Sequence, residues 1–217
     1  MLALRGLRMA APLLLALFLL PAGIGEGTAM PPHHSPFASD GAYSTDFTDF
    51  PKWRGMLERF SLQMSDPADA QTWHSFVAGL RGGDRLTEMR VVNAAVNAFP
   101  YVSDMANWGK IDFWETPIEF LRQSGDCEDF AVAKYMALRE LGVGVDDMRV
   151  VVVDDRQLGV THAVLVVAAD DQYYVMDNLT NDLPPVAALP FYRPIYAINE
   201  NGWWDDGPPP AVSAAGP

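Results

Sequence analysis

The residues with the clearest chemical potential lie in Ser124-Gly125-Asp126-Cys127-Glu128-Asp129-Phe130, which sets the chain's one cysteine among three carboxylates. A thiol attacks only as the thiolate, and nearby negative charge disfavours that form, so a reactive cysteine is ordinarily found beside Lys, Arg or His. Something must therefore offset the acids if Cys127 is a nucleophile. With Ser124 or Asp126 as a helix cap, Cys127 falls in the first turn, where unpaired N–H groups and the helix dipole favour a thiolate and can bind an oxyanion.

A cysteine nucleophile needs a base, and the chain holds four histidines. His33 and His34 sit in a Pro- and Ser-rich stretch, and His74 lies within a helical pattern. His162 opens the strand-like segment Thr161-His162-Ala163-Val164-Leu165-Val166-Val167, whose other members are mostly apolar. If Asp170-Asp171 is a two-residue hairpin turn, position 164 faces position 177, which puts His162 and Asp177 on diagonal positions of one sheet face. Taken singly, a strand histidine is usually structural, and Asp177-Asn178 can simply end a strand. Taken together, a helix-start cysteine followed by this histidine and aspartate has the makings of a Cys127–His162–Asp177 triad.

The elements that must position these groups are legible in the apolar periodicity. Helical stripes run over Phe50–Met64, Gln71–Leu80 and Arg85–Phe99, with Pro100 ending the third. Thr116-Pro117-Ile118-Glu119 carries a capping threonine, a first-turn proline and a capping-box glutamate, and predicts a helix to about Arg122. A longer helix is predicted over Cys127–Leu141, closed by Gly142. Beyond it the period changes, and Met148–Val153, Thr161–Ala168, Gln172–Met176 and Pro194–Ile198 read as strands. The expectation is an α+β domain with a helical N-terminal half packed on an antiparallel β-sheet.

Composition narrows the function classes. With 15 Lys+Arg against 28 Asp+Glu, a net charge of -13 argues against a nucleic-acid partner, which requires a basic footprint. Arg5 and Arg8, the apolar run Met9–Leu20 and the small-residue triplet Gly27-Thr28-Ala29 read as a secretory signal peptide over 1–29, the apolar core being shorter than the ~20 residues that span a bilayer. A single cysteine makes no disulfide within the chain, so an exported fold must rest on its core alone. Residues 30–48, rich in Pro, Ser and Asp, read as a flexible lead-in, 49–204 as the folded domain and 205–217 as a disordered tail.

The segments GDCEDFAVAKYMALRELGV, THAVLVV and YYVMDNLTN, with Cys127, His162 and Asp177 in that order, resemble the bacterial transglutaminase-like cysteine proteinases of the LapG type. The likeness runs from about Trp53 to Trp204 and takes in WGKIDFWETPIEFL and FYRPIYAINENGWW. It implies a papain-like, transglutaminase-like core and a periplasmic, calcium-dependent endopeptidase that cleaves the N-terminal region of a large surface adhesin near a di-alanine site, releasing cells from biofilm. It also implies control by the periplasmic domain of an inner-membrane cyclic di-GMP receptor. By the same resemblance the Ca2+ ligands are Asp126, Glu128 and Asp129, whereas by residue pattern alone these acids read equally well as caps and dipole partners. Asp104 and Asp112 precede the active segment and are further acidic candidates by position only. Two other functions share the residue pattern: an acyltransferase using the same thioester chemistry, and a calcium-dependent binding module without turnover.

Overall fold

The computed structural model describes residues 42–207, so the expected leader at 1–29, residues 30–41 of the lead-in and the tail from 208 lie outside the described residues. The elements in chain order are β1 (Ala42–Ser44), α1 (Pro51–Gln63), α2 (Pro67–Ala78), α3 (Arg85–Asn97), α4 (Asp104–Trp108), α5 (Pro117–Gln123), α6 (Cys127–Leu141), β2 (Met148–Asp155), β3 (Val160–Ala169), β4 (Gln172–Met176), β5 (Tyr192–Ile198) and β6 (Trp203–Asp205). The strands form one sheet in the order β1-β6-β5-β2-β3-β4, and every neighbouring pair is antiparallel.

Both faces of the central strands are covered, which explains why β2 and β3 read as continuous β-branched runs rather than alternating ones. Val150, Leu165, Val167 and Ile198 join the helices in the larger core. Val151, Val153, Val164, Val166 and Trp204 form a second apolar cluster on the opposite face. Helix α6 is the centre of the larger core: every residue from Asp129 to Leu138 is buried. A helix apolar nearly all round belongs in an interior, and this one packs on β3 and against α3 and α5.

Several boundaries differ from the sequence expectation for identifiable reasons. Helix α2 begins at Pro67, not Gln71, because Asp66 caps it by accepting the N–H groups of Ala68 and Asp69. The lead-in is not free of structure throughout: Ala42–Ser44 pair with β6, and Tyr43 packs against Trp204 at 5.0 Å between ring centres. That strand rests on backbone pairing and one aromatic contact, so it leaves no period in the sequence. Strand β6 likewise carries the domain one residue past Trp204, to Asp205.

The capping box on α5 forms as the sequence predicts. Thr116 Oγ1 accepts the Glu119 N–H at 3.1 Å, and Glu119 Oε2 accepts the Thr116 N–H at 2.7 Å. Thr116 also donates to Gln63 Oε1 at 2.5 Å and is fully buried. Thr116→Ala is therefore expected to cost about 1–2 kcal/mol, measured as a lower urea midpoint with an unchanged slope.

Candidate active site

Cys127 reaches its place through a loop whose backbone departs from ordinary conformations. Ser124 has φ 62 and ψ -175, a region that side-chain-bearing residues rarely occupy. Its N–H donates to Phe120 O at 2.8 Å, and its carbonyl accepts from Asn107 Nδ2 at 2.9 Å. At Gly125 a Cβ would collide with the Asp129 carboxylate, so the chain needs glycine there for Asp129 to approach. Asp129 Oδ2 accepts the Asp126 N–H at 3.0 Å and Oδ1 accepts the Glu115 N–H at 2.7 Å, which ties the nucleophile loop to the segment before α5.

Cys127 is the first residue of α6, and its Sγ donates to Glu128 Oε2 at 3.2 Å. Burial pushes the thiol pKa up, and the Glu128 charge and hydrogen bond push it further; the N–H of Ala163, on β3, acts in the opposite direction. Cys127, Glu128, His162, Ala163, Trp114 and Asp112 line one cleft of about 330 Å³ between the helical half and the sheet. Trp114 thus has an edge on the cleft while remaining buried, whereas Trp108 turns inward and donates to Glu115 Oε1 at 2.5 Å.

The histidine half of the site follows from strand register. Asp170 and Asp171 both have positive φ, 47 and 59, as a two-residue turn between right-twisted strands requires. Pairing then runs Ala169↔Gln172 to Leu165↔Met176, which carries Asp177 to the position opposite Val164. Val153 faces His162, and Asp155 faces Tyr192, so His162, Asp177 and Tyr192 share the sheet face turned away from the helices. His162 Nε2 lies 2.9 Å from Asp177 Oδ1, with both residues buried.

Asp177 is well supplied with donors. Oδ1 also accepts the Leu179 N–H at 3.0 Å, and Oδ2 accepts the Tyr192 hydroxyl. Burial would raise its pKa, but the hydrogen bond and charge of His162, then Tyr192 and Leu179, outweigh that and hold it below the ordinary carboxylate value. An ionised Asp177 accepts, so Nε2 of His162 donates to it and Nδ1 is left for exchange with another group. Buried Lys134, two turns along α6 from Cys127, has its pKa lowered to about 7 by burial, with the Asp177 charge opposing.

The acids around Cys127 divide into two groups. Asp104, Asp112 and Glu128 bring ligand oxygens within 4.8 Å of one another, and Asp126, Cys127 and Glu128 do the same beside them. Asp126 Oδ1 and Asp104 Oδ1 are buried without a hydrogen-bond partner. Burial, then the Glu128 hydrogen bond and charge, push the Asp126 pKa up to about 8, and burial also raises that of Asp104. Crowded, partnerless carboxylate oxygens of this kind suit a hard divalent cation, and the donor set is all oxygen, as Ca2+ prefers. Asp129 differs, since both its oxygens already accept backbone N–H groups and it is 1% exposed. It holds the loop rather than presenting an open ligand face.

Asp104 and Tyr192 are the two site groups that sequence reading did not place. Asp104 stands on a five-residue helix too short to give a period, and Tyr192 reaches Asp177 only through the β5–β2–β3 register.

Residues 64–203 match the family model described as bacterial transglutaminase-like cysteine proteinase, BTLCP. No curated protein matches the chain. Among solved structures, Legionella pneumophila LapG is similar at 27% identity and TM-score 0.55, over 69% of this chain and 87% of that one. Its calcium-bound form is similar at 27% identity and TM-score 0.56, over 72% and 91%, and its EGTA-treated form at 27% and 0.55, over 69% and 84%.

Proposed function

The chain belongs to the bacterial transglutaminase-like cysteine proteinases, and from that premise we propose that it is a calcium-dependent endopeptidase with Cys127 as nucleophile, His162 as general base and acid, and Asp177 orienting His162. The observation that carries this reading is the shared cleft: Cys127 and His162 line it together, and His162 is held from behind by Asp177.

In the acylation step Cys127 Sγ forms a bond to the scissile carbonyl carbon as its proton passes to Nδ1 of His162. The carbonyl oxygen takes the electron pair of the broken π bond, and the Cys127 N–H at the start of α6 donates to it. Collapse breaks the C–N bond, and the imidazolium returns its proton to the leaving amine, leaving a thioester. Water then attacks the thioester, giving its proton to His162, and the thiol departs as the new carboxylate forms. Asp177 stays ionised throughout and keeps Nε2–H fixed, so Nδ1 is presented to the cleft.

Asp104, Asp112, Asp126 and Glu128 would hold the calcium ion, which supplies positive charge beside a thiol that these acids otherwise keep protonated. Support for this metal is the orphaned oxygens of Asp104 and Asp126, together with the calcium-bound form of L. pneumophila LapG.

The substrate in this reading is the N-terminal region of a large surface adhesin, cut near paired alanines to control biofilm release. The setting is the periplasm, reached through the leader at 1–29, and the partner is the periplasmic domain of an inner-membrane cyclic di-GMP receptor. What supports the setting is the charged, apolar and small-residue order of that leader.

The test is cleavage of a recombinant adhesin N-terminal fragment from the same organism by protein lacking residues 1–29, with calcium, with EGTA and as Cys127→Ala. Two products of summed mass are expected with calcium alone. Mass added to an amine acceptor without chain scission would point to acyl transfer, and an unchanged fragment with folded, calcium-loaded protein would remove the protease reading.

A further inference from the structure

Tyr192 is the one side chain other than His162 that hydrogen-bonds the Asp177 carboxylate. It lies on β5, opposite Asp155 of β2 in the strand register, and is 6% exposed. Its hydroxyl donates to Asp177 Oδ2, the oxygen that His162 leaves free. The ring is packed edge-on against Phe191 at 4.9 Å and lies 6.0 Å from the His162 ring between centres. Two turns of α6 beyond Cys127, Lys134 contributes its charge to the same carboxylate.

We propose that Tyr192 is a positioning residue of the active site, fixing the rotation of the Asp177 carboxylate so that Oδ1 stays aimed at Nε2 of His162. The proposal rests on the triad reading above. A carboxylate on a strand end has two soft side-chain torsions, and a single bond to His162 leaves rotation about the axis of that bond. The Leu179 N–H constrains the same oxygen that His162 uses. Only a donor on Oδ2 removes the remaining freedom, and Tyr192 is that donor. Burial, with the Asp177 hydrogen bond and charge, pushes the phenol pKa well up, so it remains a donor across the working pH range.

The charged and titratable groups facing this unit come from three elements: Lys134 and Glu128 on α6, Asp155 on β2, and Tyr192 itself on β5. None of the others changes in Tyr192→Phe, which keeps the ring and removes only the hydroxyl. This variant is expected to lower kcat on the adhesin fragment on the order of tenfold, the rate equivalent of one lost hydrogen bond to a charged group, with KM unchanged. In histidine-labelled protein, the Nε2–H proton resonance of His162 should also move downfield, because Asp177 with one donor fewer is a stronger acceptor.

A double-mutant cycle separates this role from packing. Once Asp177→Asn has removed the charge that Tyr192 orients, adding Tyr192→Phe should cost no further activity. An equal loss in both backgrounds, or a resonance that does not move, overturns the proposal and leaves the triad intact. An Asp177→Asn enzyme of full activity would instead remove the triad reading and the role of Tyr192 with it.

Discussion

His162→Gln is expected to lower kcat by at least about a thousandfold, the loss that follows when a positioned proton-transfer group disappears from a nucleophilic mechanism. Glutamine is the informative substitution, because it can still donate an N–H towards Asp177 Oδ1 and so spares the buried carboxylate a missing partner. It cannot take the thiol proton. The expected pattern is a fall in kcat with KM and thermal midpoint little changed, and activity within tenfold of the parent would remove His162 from the reaction.

Calcium should set the pH dependence of stability. The pKa of Asp126 is pushed up to about 8 and that of Glu115 to about 7, from ordinary values of 3.8 and 4.5, in both cases chiefly by burial. Groups raised in the folded state bind protons more tightly there than in the unfolded chain. Their contribution to stability is fully present below about pH 4 and is lost as pH rises through about 7 to 8. In EGTA the melting temperature should therefore decline across that range. A cation held by Asp104, Asp112, Asp126 and Glu128 stabilises the ionised forms, so the curves with and without calcium should separate most at pH 8. A thousandfold excess of ligand over its dissociation constant gives about 4 kcal/mol, or roughly 10 °C in a domain of this size. Parallel curves would mean that the acids are structural only.

Much of this site was readable before any coordinates because it rests on local rules. The capping box at Thr116, the start of α6 at Cys127 and the Asp170-Asp171 turn each depend on a few adjacent residues, and the turn fixes the register that brings Asp177 to His162. What escaped depends on contacts distant in sequence. Strand β1 is three residues long and pairs with a strand about 160 residues later, so neither end announces the other. Asp104 becomes a site residue only because the Gly125–Cys127 loop passes its helix: the Val102 N–H donates to Gly125 O at 2.9 Å. Asp129 was grouped with the ligands because adjacent acids look alike in sequence, whereas the fold spends its two oxygens on backbone N–H groups.

The two halves of the site are anchored with very different security, and that difference should be visible on separate clocks. The β2–β3 hairpin bearing His162 is paired on both sides and buried on both faces. Its amides should exchange with solvent only through global unfolding, over the longest times the protein allows. The loop before Cys127 is tied by a few bonds around Ser124 and Asp129 and lies among carboxylates that repel one another. Its amides should exchange through local opening, which calcium would suppress. An enzyme built this way keeps its base permanently assembled and makes only the nucleophile conditional, so a signal that empties or fills the acidic site can switch catalysis without disturbing the fold.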